Sequence, residues 1–384
     1  MRKRILFLYP DPPGFSGQRV ASEMTLEAIR NDSRFEVATI KLPGLPKTGN
    51  RFIGMLVFFA RTSIAGIHFL VISMIYSWDG MFVAICQTER TLAREKKMIS
   101  FFRAFNRSAK FIFRLDSSIF TSWEGHEMVA KRFRDVTSIA SAVTTLGPLQ
   151  KRVMLEKYQG DHTKVITIPN TCDLKCLSRE QVERKHVAKE EVSVLHLSSL
   201  MEPKGYCDLV DAVALLDKNI KVTVCGRLTR SAFDRRFSSL EKQRLHLETA
   251  VNGNDNLQWI NGAVGEEKER LFLEADIFVI PTWYPVEAQP LVLIEAMASG
   301  CTLVTTAIGE IPGMASEENS LILNDTGKDA IAVAIGRLAA DPELRRRLAL
   351  RSLEIFSAKF ELSKHNKNWQ DLFASEFGVQ EVDN

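Results

Sequence analysis

The chain contains no Asp-x-Asp in its 384 residues. It therefore lacks the spacing of carboxylates with which many enzymes hold a divalent ion against a phosphate. Its six cysteines are scattered. Only Cys172 and Cys176 lie close together, and no second pair completes a zinc site. They read as reduced, buried thiols of a cytosolic protein. There is no low-complexity tract and no repeat at a period of roughly 20–50 residues, which argues against a solenoid. The opening MRKRILFLYPDPPG has a basic head but only about five apolar residues before Pro10, too few for a secretory signal. A first buried strand explains it better. The basic residues come without a nucleic-acid motif, so no nucleic-acid partner is expected. The remaining composition is that of a globular protein, 45% hydrophobic and 25% charged. The length suits two domains.

One stretch organises the rest: PTWYPVEAQPLVLIEAMASG, residues 281–300. The apolar run 276–280 stops at Pro281, and a loop rich in proline and aromatic residues follows. From about Pro290 the spacing predicts a helix ending at Gly300, with proline suited to the start and glycine to the position just past the end. Glu295 sits in an apolar segment with no other charge, and a buried carboxylate needs a partner. Something must donate to it, protein or ligand. The helix N-terminus offers unpaired N–H groups that suit a phosphate. Two readings stay open on these grounds. Glu287 and Glu295 hold a ligand's hydroxyl groups, or Glu287 is a solvated loop residue and Glu295 a helix former.

Strands and helices alternate before and after this stretch. Residues 4–9 read as a strand, followed by the loop DPPGFSGQ with Gly14 and Gly17 and a helix from about Gln18 to Arg30. Further strands are predicted at 35–40, 81–86, 110–115, 142–145 and 164–168. The charged tract 175–191 predicts a linker. Alternation then restarts with a strand at 192–197, the turn SSLMEPKG and a helix from Tyr206. A strand at 221–225 leads to Gly226 and Arg227. The organisation expected is an N-terminal domain over 1–174, the linker 175–191, a C-terminal domain over 192–358, and a last helix within 359–384 returning toward the N-terminal domain. Both domains are α/β with parallel sheets.

Glu287, Glu295 and the tail EAMASG resemble the Glu-x7-Glu signature of retaining, family-four glycosyltransferases of the GT-B fold. Lys204-Gly205 resembles that family's donor turn, and Ile168, Pro169, Asn170 and Asp173 resemble the end of its first domain. The resemblance implies two Rossmann-like domains facing a cleft. It implies a retaining hexosyl transfer from a nucleotide diphosphate sugar to a glycan or lipid-linked acceptor, in polysaccharide or glycolipid synthesis. Lys204 would be the phosphate-binding lysine. Glu287, with Ala288, Gln289, Leu291 and Val292, would contact donor sugar and phosphates, and Glu295 the ribose. The loop carrying Gly17 would face the donor phosphates or the acceptor.

There are departures. Ser199 stands where the family carries an arginine, and Arg227 is the candidate to supply that charge. Ala288 and Thr171 replace glycines. The strand end FRLDSS has no histidine, and Asp116 is the polar group expected on the acceptor side. Lys204, Glu287 and Asp116 are thus the catalytic candidates. No cofactor or metal is expected. The rival readings are a non-catalytic, partner-binding subunit and a nucleotide-sugar epimerase.

Residues 1–175 hold 26 Lys and Arg against 15 Asp and Glu, in a chain whose net charge is +3. Such asymmetry suggests an anionic partner surface for the first half. Residues 62–78 carry no fixed charge, and 89–105 reads as a basic amphipathic helix. A membrane span at 51–78 would divide one sheet across a bilayer. A partly buried crossover helix resting against an anionic membrane surface fits better, and the expected location is cytoplasmic and peripheral at the membrane.

Overall fold

A computed structural model describes the chain apart from residues 1, 13–15, 45–50, 124–125, 159–162 and 380–384 and the side chain of Arg51. Two units divide it, residues 1–170 with 362–384, and residues 171–361. Each is built on six parallel strands.

The first unit runs β1 (Lys3–Asp11), α1 (Gly17–Arg30), β2 (Phe35–Pro43), α2 (Arg51–Ile75), β3 (Gly80–Ile85), α3 (Glu89–Phe105), β4 (Lys110–Leu115), α4 (Glu127–Thr137), β5 (Ala142–Thr145), α5 (Pro148–Lys157) and β6 (Lys164–Thr167). Its strand order is β2-β1-β3-β4-β5-β6. Ile5 to Tyr9 on β1 are fully buried, as a strand covered on both faces requires. The second unit contains α6 (Arg179–Lys185), β7 (Val192–Leu197), α7 (Tyr206–Ala212), β8 (Ile220–Cys225), α8 (Leu240–Gly253), β9 (Leu257–Ile260), α9 (Gly265–Glu274), β10 (Ile277–Ile280), α10 (Leu291–Ala298), β11 (Thr302–Thr306), β12 (Ser320–Leu323), α11 (Lys328–Ala340) and α12 (Pro342–Lys359). Its order is β12-β11-β10-β7-β8-β9. The final helix, α13 (Leu362–Phe377), belongs to the first unit. Its Trp369 is fully buried, and its ring lies edge-on to Phe82 of β3 at 5.6 Å.

Two expectations need correction. The charged tract 175–191 is no free linker, because residues 179–185 form α6 within the second unit. Ser178 accepts from the Gln181 amide at 3.2 Å while the Gln181 side chain accepts from the Ser178 amide at 2.8 Å. This is a reciprocal capping box. Val182 is fully buried in a cluster with Leu350 and Leu353 of α12. A high average charge concealed one apolar anchor. The second correction concerns α2, which is far more exposed than a partly buried crossover helix. Phe69, Ile72 and Ser73 are buried, whereas Phe52, Ile64 and Ile67 are more than half exposed.

Each unit also buries a histidine next to the backbone. His365 Nδ1 lies 2.9 Å from Pro169 O, and His196 Nδ1 lies 2.9 Å from Val279 O. Burial pushes His365 down to about 3, with the Arg114 charge adding to it. Burial takes His196 down to about 4. Both folded values lie below the unfolded value, so the unfolded chain takes up protons first as pH falls. Stability is then fully present above about pH 6.5 and is lost as pH drops through that window toward 4. The expected result in thermal unfolding is a midpoint that declines between pH 6.5 and 4, with a shallower decline in His365→Gln. An unchanged slope in that variant would place the acid sensitivity elsewhere.

Candidate functional site

In the second sheet, β8 and β9 lie on one side of β7, and β10, β11 and β12 lie on the other. The order therefore reverses between β7 and β10, the place where open parallel sheets leave a crevice beyond their strand ends. The turn after β7 carries Lys204, and the loop after β10 carries Glu287. The two side chains meet there, Lys204 Nζ donating to Glu287 Oε2. Both are largely buried, at 14% and 8% side-chain exposure, so the pair is shielded from water. Lys204 Nζ also lies 5.3 Å from the ring centre of Tyr284.

The local backbone explains why they meet. Gly205 has φ of +80°, and a Cβ there would stand 2.3 Å from the Pro281 carbonyl oxygen. Only glycine meets both demands. Across this contact, Pro203 O accepts from the Trp283 amide at 2.8 Å and from Thr282 Oγ1 at 3.1 Å. From the other side, Gly309 has φ of +58°, and a Cβ there would stand 2.2 Å from Glu287 O. The Glu310 amide donates to Ala288 O at 2.9 Å. Ala288 and Gln289 are buried in this strap, and Leu291 and Val292 are half-buried. Their amides precede the Leu293 N–H to Pro290 O bond at 3.1 Å, which opens α10. First-turn amides lack intrahelical acceptors and point along the axis, where they favour an anion.

Glu295 has the protein donor that its burial demands. Lys268 Nζ on α9 donates to Glu295 Oε1 at 2.6 Å. Burial raises the Glu295 carboxyl above its ordinary value, and the Lys268 charge opposes the rise. No local pattern in the sequence marks Lys268, since the contact spans 27 residues between separate helices.

Arg227 is exposed. Leu197 pairs with Cys225 and Leu200 with Leu228, so the register sets Arg227 beside Ser199 on the neighbouring strand end. Glu202 was not foreseen as an organiser. Its buried carboxylate accepts from the amides of Arg235 at 3.0 Å and Arg236 at 2.8 Å. The segment it holds stacks on the β10 loop. Arg235 lies 4.6 Å from the Trp283 ring centre, and Phe233 meets Tyr284 edge-on at 5.6 Å.

Gly17 and Asp116 lie in the first unit. Gly17 opens α1, and Gly14 falls outside the described residues. Asp116 follows β4 with its side chain 3% exposed. Arg114 Nε donates to its Oδ1 at 2.6 Å, while Arg114 Nη1 donates to Ala21 O at 2.9 Å and Nη2 to Asn170 Oδ1 at 2.7 Å. Burial raises the Asp116 carboxyl and the Arg114 charge opposes this. Among the described residues, no group of three or more His, Cys, Asp or Glu is placed to hold a metal ion.

The family described as Glycosyl transferases group 1 matches residues 178–352. D-inositol 3-phosphate glycosyltransferase of Salinispora tropica is 26% identical over 254 residues, 61% of this chain and 50% of that protein. The putative teichuronic acid biosynthesis glycosyltransferase TuaC of Bacillus subtilis is 25% identical over 45% of this chain and 39% of its own length. The chain thus spans about half the length, or less, of these curated relatives. Among solved structures, sucrose-phosphate synthase from Thermosynechococcus elongatus superposes with a TM-score of 0.73 at 18% identity, covering 99% of this chain and 100% of that one. Anabaena HepE in complex with UDP and glucose gives 0.67 at 15% identity, covering 97% and 100%. At these identities the structural likeness establishes the fold.

The Lys268–Glu295 pair generates a stability test. Removing one partner of a buried pair strands the other charge and typically costs about 3–5 kcal/mol, whereas replacing both is often near neutral. Lys268→Met is expected to lower the urea midpoint of the second unit strongly, and Lys268→Met with Glu295→Gln to recover much of the loss. Equal destabilisation by the single and double variants would refute the pairing.

Proposed function

We propose that the protein, whose residues 178–352 match the glycosyl transferases group 1 family and whose α/β fold is of the GT-B type, transfers a hexose from a nucleotide diphosphate sugar to a glycan or lipid-linked acceptor, with retention at the anomeric carbon. The observation that carries this reading is the meeting of Lys204 and Glu287 at the reversal point of the second sheet. The relatives named as glycosyltransferases support the reaction class, and the neighbour solved with UDP and glucose supports the donor class.

In this mechanism the anomeric C–O bond to the diphosphate breaks and the acceptor oxygen bonds the same face of that carbon. The acceptor proton leaves with the departing phosphate. The protein's task is electrostatic, to stabilise charge on the leaving diphosphate and fix the acceptor beside it. Lys204, the first-turn amides of α10 and Arg227 serve the diphosphate. Glu287 and the amides after it hold the sugar, and Glu295 the ribose. Gly17 and Asp116 serve the acceptor side. No metal takes part. The enzyme works in the cytoplasm against a membrane surface, in cell-surface polysaccharide or glycolipid synthesis. A non-catalytic, partner-binding role is the second reading. Ser199 favours it, because it takes from the β7 end the arginine that the resemblance implies and leaves only the exposed Arg227 of the neighbouring strand end as a second cation.

A panel of nucleotide sugars, read by thermal shift and by donor consumption, separates the two. Binding with turnover is expected; a nucleotide sugar that binds and is never consumed with any acceptor supports the second reading. Lys204→Ala and Glu287→Ala should each reduce transfer roughly ten- to a hundredfold, since a charge-assisted contact contributes about 1.5–3 kcal/mol. Wild-type rates in both would overturn the site. Activity should persist in excess chelator; loss that magnesium or manganese restores would refute metal independence.

A further inference from the structure

The helix α2 is apolar along nearly its whole length and is covered by almost nothing. Over Phe52–Ile75 its mean hydropathy is 1.9, yet an 18-residue window of that stretch is only 6% buried. Its seat is a narrow stripe that includes Gly54, Phe69, Ile72 and Ser73. Around the rest of the circumference Phe52, Phe59, Ile64, Ile67, Met74 and Ile75 are each at least half exposed. Exposed apolar patches of this extent mark a partner or a lipid surface. Arg61, the one fixed charge after Arg51, reaches back to Asp11 at 3.3 Å and so leaves the apolar surface.

The occupant follows from the connections. β2 and β3 both pair with β1 in parallel, and α2 is the crossover between them. Its C-terminal end is fastened to the unit, with Trp78 Nε1 donating to Ile72 O at 2.9 Å and Asn106 Nδ2 to Ser73 O at 3.0 Å. Phe69 packs on Phe101 and Phe102 of α3 at 6.4 and 6.5 Å. A helix of this length, ~37 Å at 1.5 Å per residue, matches a hydrocarbon core in size. Held along its sheet, however, it offers a bilayer its side and not its axis. The neighbouring α3 supplies a charged rim. Its Lys96 is paired with Asp135 at 2.8 Å and its Arg94 faces Glu95 at 3.7 Å, but Lys97 and Arg103, with Arg107 just beyond, are exposed without a carboxylate partner among the described residues. An apolar strip bordered by cations fits an anionic lipid leaflet.

We infer that α2 lies in the plane of one leaflet of an anionic membrane, its exposed apolar face in the acyl region and Lys97, Arg103 and Arg107 at the headgroups. This rests on the membrane placement in the proposed function and gives it an element and an orientation. It also shifts the source of binding from charge to apolar insertion.

Flotation of the full chain with vesicles tests it. The protein should float with phosphatidylcholine vesicles and more strongly with added phosphatidylglycerol, and 1 M salt should remove only the increment. Phe59→Glu with Ile67→Glu, both at exposed positions, should lower partitioning more than about tenfold. Lys97→Gln, Arg103→Gln and Arg107→Gln together should remove the anionic increment alone. For Ile64→Trp, the added fluorescence should be quenched more by lipids brominated near the headgroup than by lipids brominated near the bilayer centre; the reverse order indicates a span and overturns the in-plane assignment. Absence of flotation on both vesicle types overturns it, as does a vesicle-independent dimer that the Phe59→Glu, Ile67→Glu variant dissociates. Thermal shift with nucleotide sugars runs in parallel. If flotation fails while a nucleotide sugar binds, the glycosyltransferase reading stands without this inference; if none binds while flotation holds, the reverse is true.

Discussion

The contact between Gly205 and the carbonyl of Pro281 sets the geometry of the second unit's site. Two parallel strands that are adjacent in space but distant in sequence end side by side, and their following loops must share one crevice. With a Cβ at residue 205 the loops would be pushed apart. With glycine there, Pro203 O can take two donors from the opposite loop. Lys204 and Glu287 then face each other without either having to stretch. Gly309 repeats the device from the β11 side, where the carbonyl of Glu287 leaves no room for a side chain. The chemistry of the pair is thus a consequence of backbone packing at the sheet's reversal point.

Much of this is legible in the sequence, because parallel α/β units repeat a simple pattern. Most strands are short apolar runs, several turns carry glycine or proline, and a helix follows most strands. The strands at 110–115 and 192–197 are found at those bounds. What stays illegible has a common physical cause. Lys268 finds Glu295, Arg114 finds Asn170 and Glu202 finds the amides of Arg235 and Arg236 through tertiary contacts that leave no local period. The helix α6 is a different case. Its Ser-x-x-Gln cap was a usable signal, outweighed by the tract's overall charge, although a single buried valine was enough to dock it.

Buried charge in this protein is handled by partnering. Arg114 distributes its donors over Asp116, Asn170 and the α1 backbone, so one guanidinium ties β4 and α1 to the end of the first unit's main segment. It also stands 5.5 Å from the ring of Trp369, bringing α13 into the same arrangement. Glu95 is the exception. It is fully buried, receives the Cys86 amide at 3.3 Å and has Arg94 at 3.7 Å, yet burial outweighs both and pushes it up to about 8. Burial raises these carboxyls and the arginine beside each one opposes the rise, at 2.6 Å for Asp116 and at 3.7 Å for Glu95.

The mutual neutralisation of Lys204 and Glu287 has a thermodynamic consequence. A diphosphate that draws the ammonium toward itself withdraws the chief partner of a nearly buried carboxylate. That carboxylate then needs other donors, and the hydroxyl groups of a sugar are well suited to supply them. A nucleotide lacking its sugar satisfies the lysine and deprives the glutamate; a free sugar finds the glutamate already engaged. If the donor binds as proposed, its two parts would therefore be coupled through one ion pair, each making room for the other. On that reading, discrimination between the intact donor and its product would arise where the bond between its parts is broken, as a difference in how completely one proton donor and one acceptor can be satisfied together.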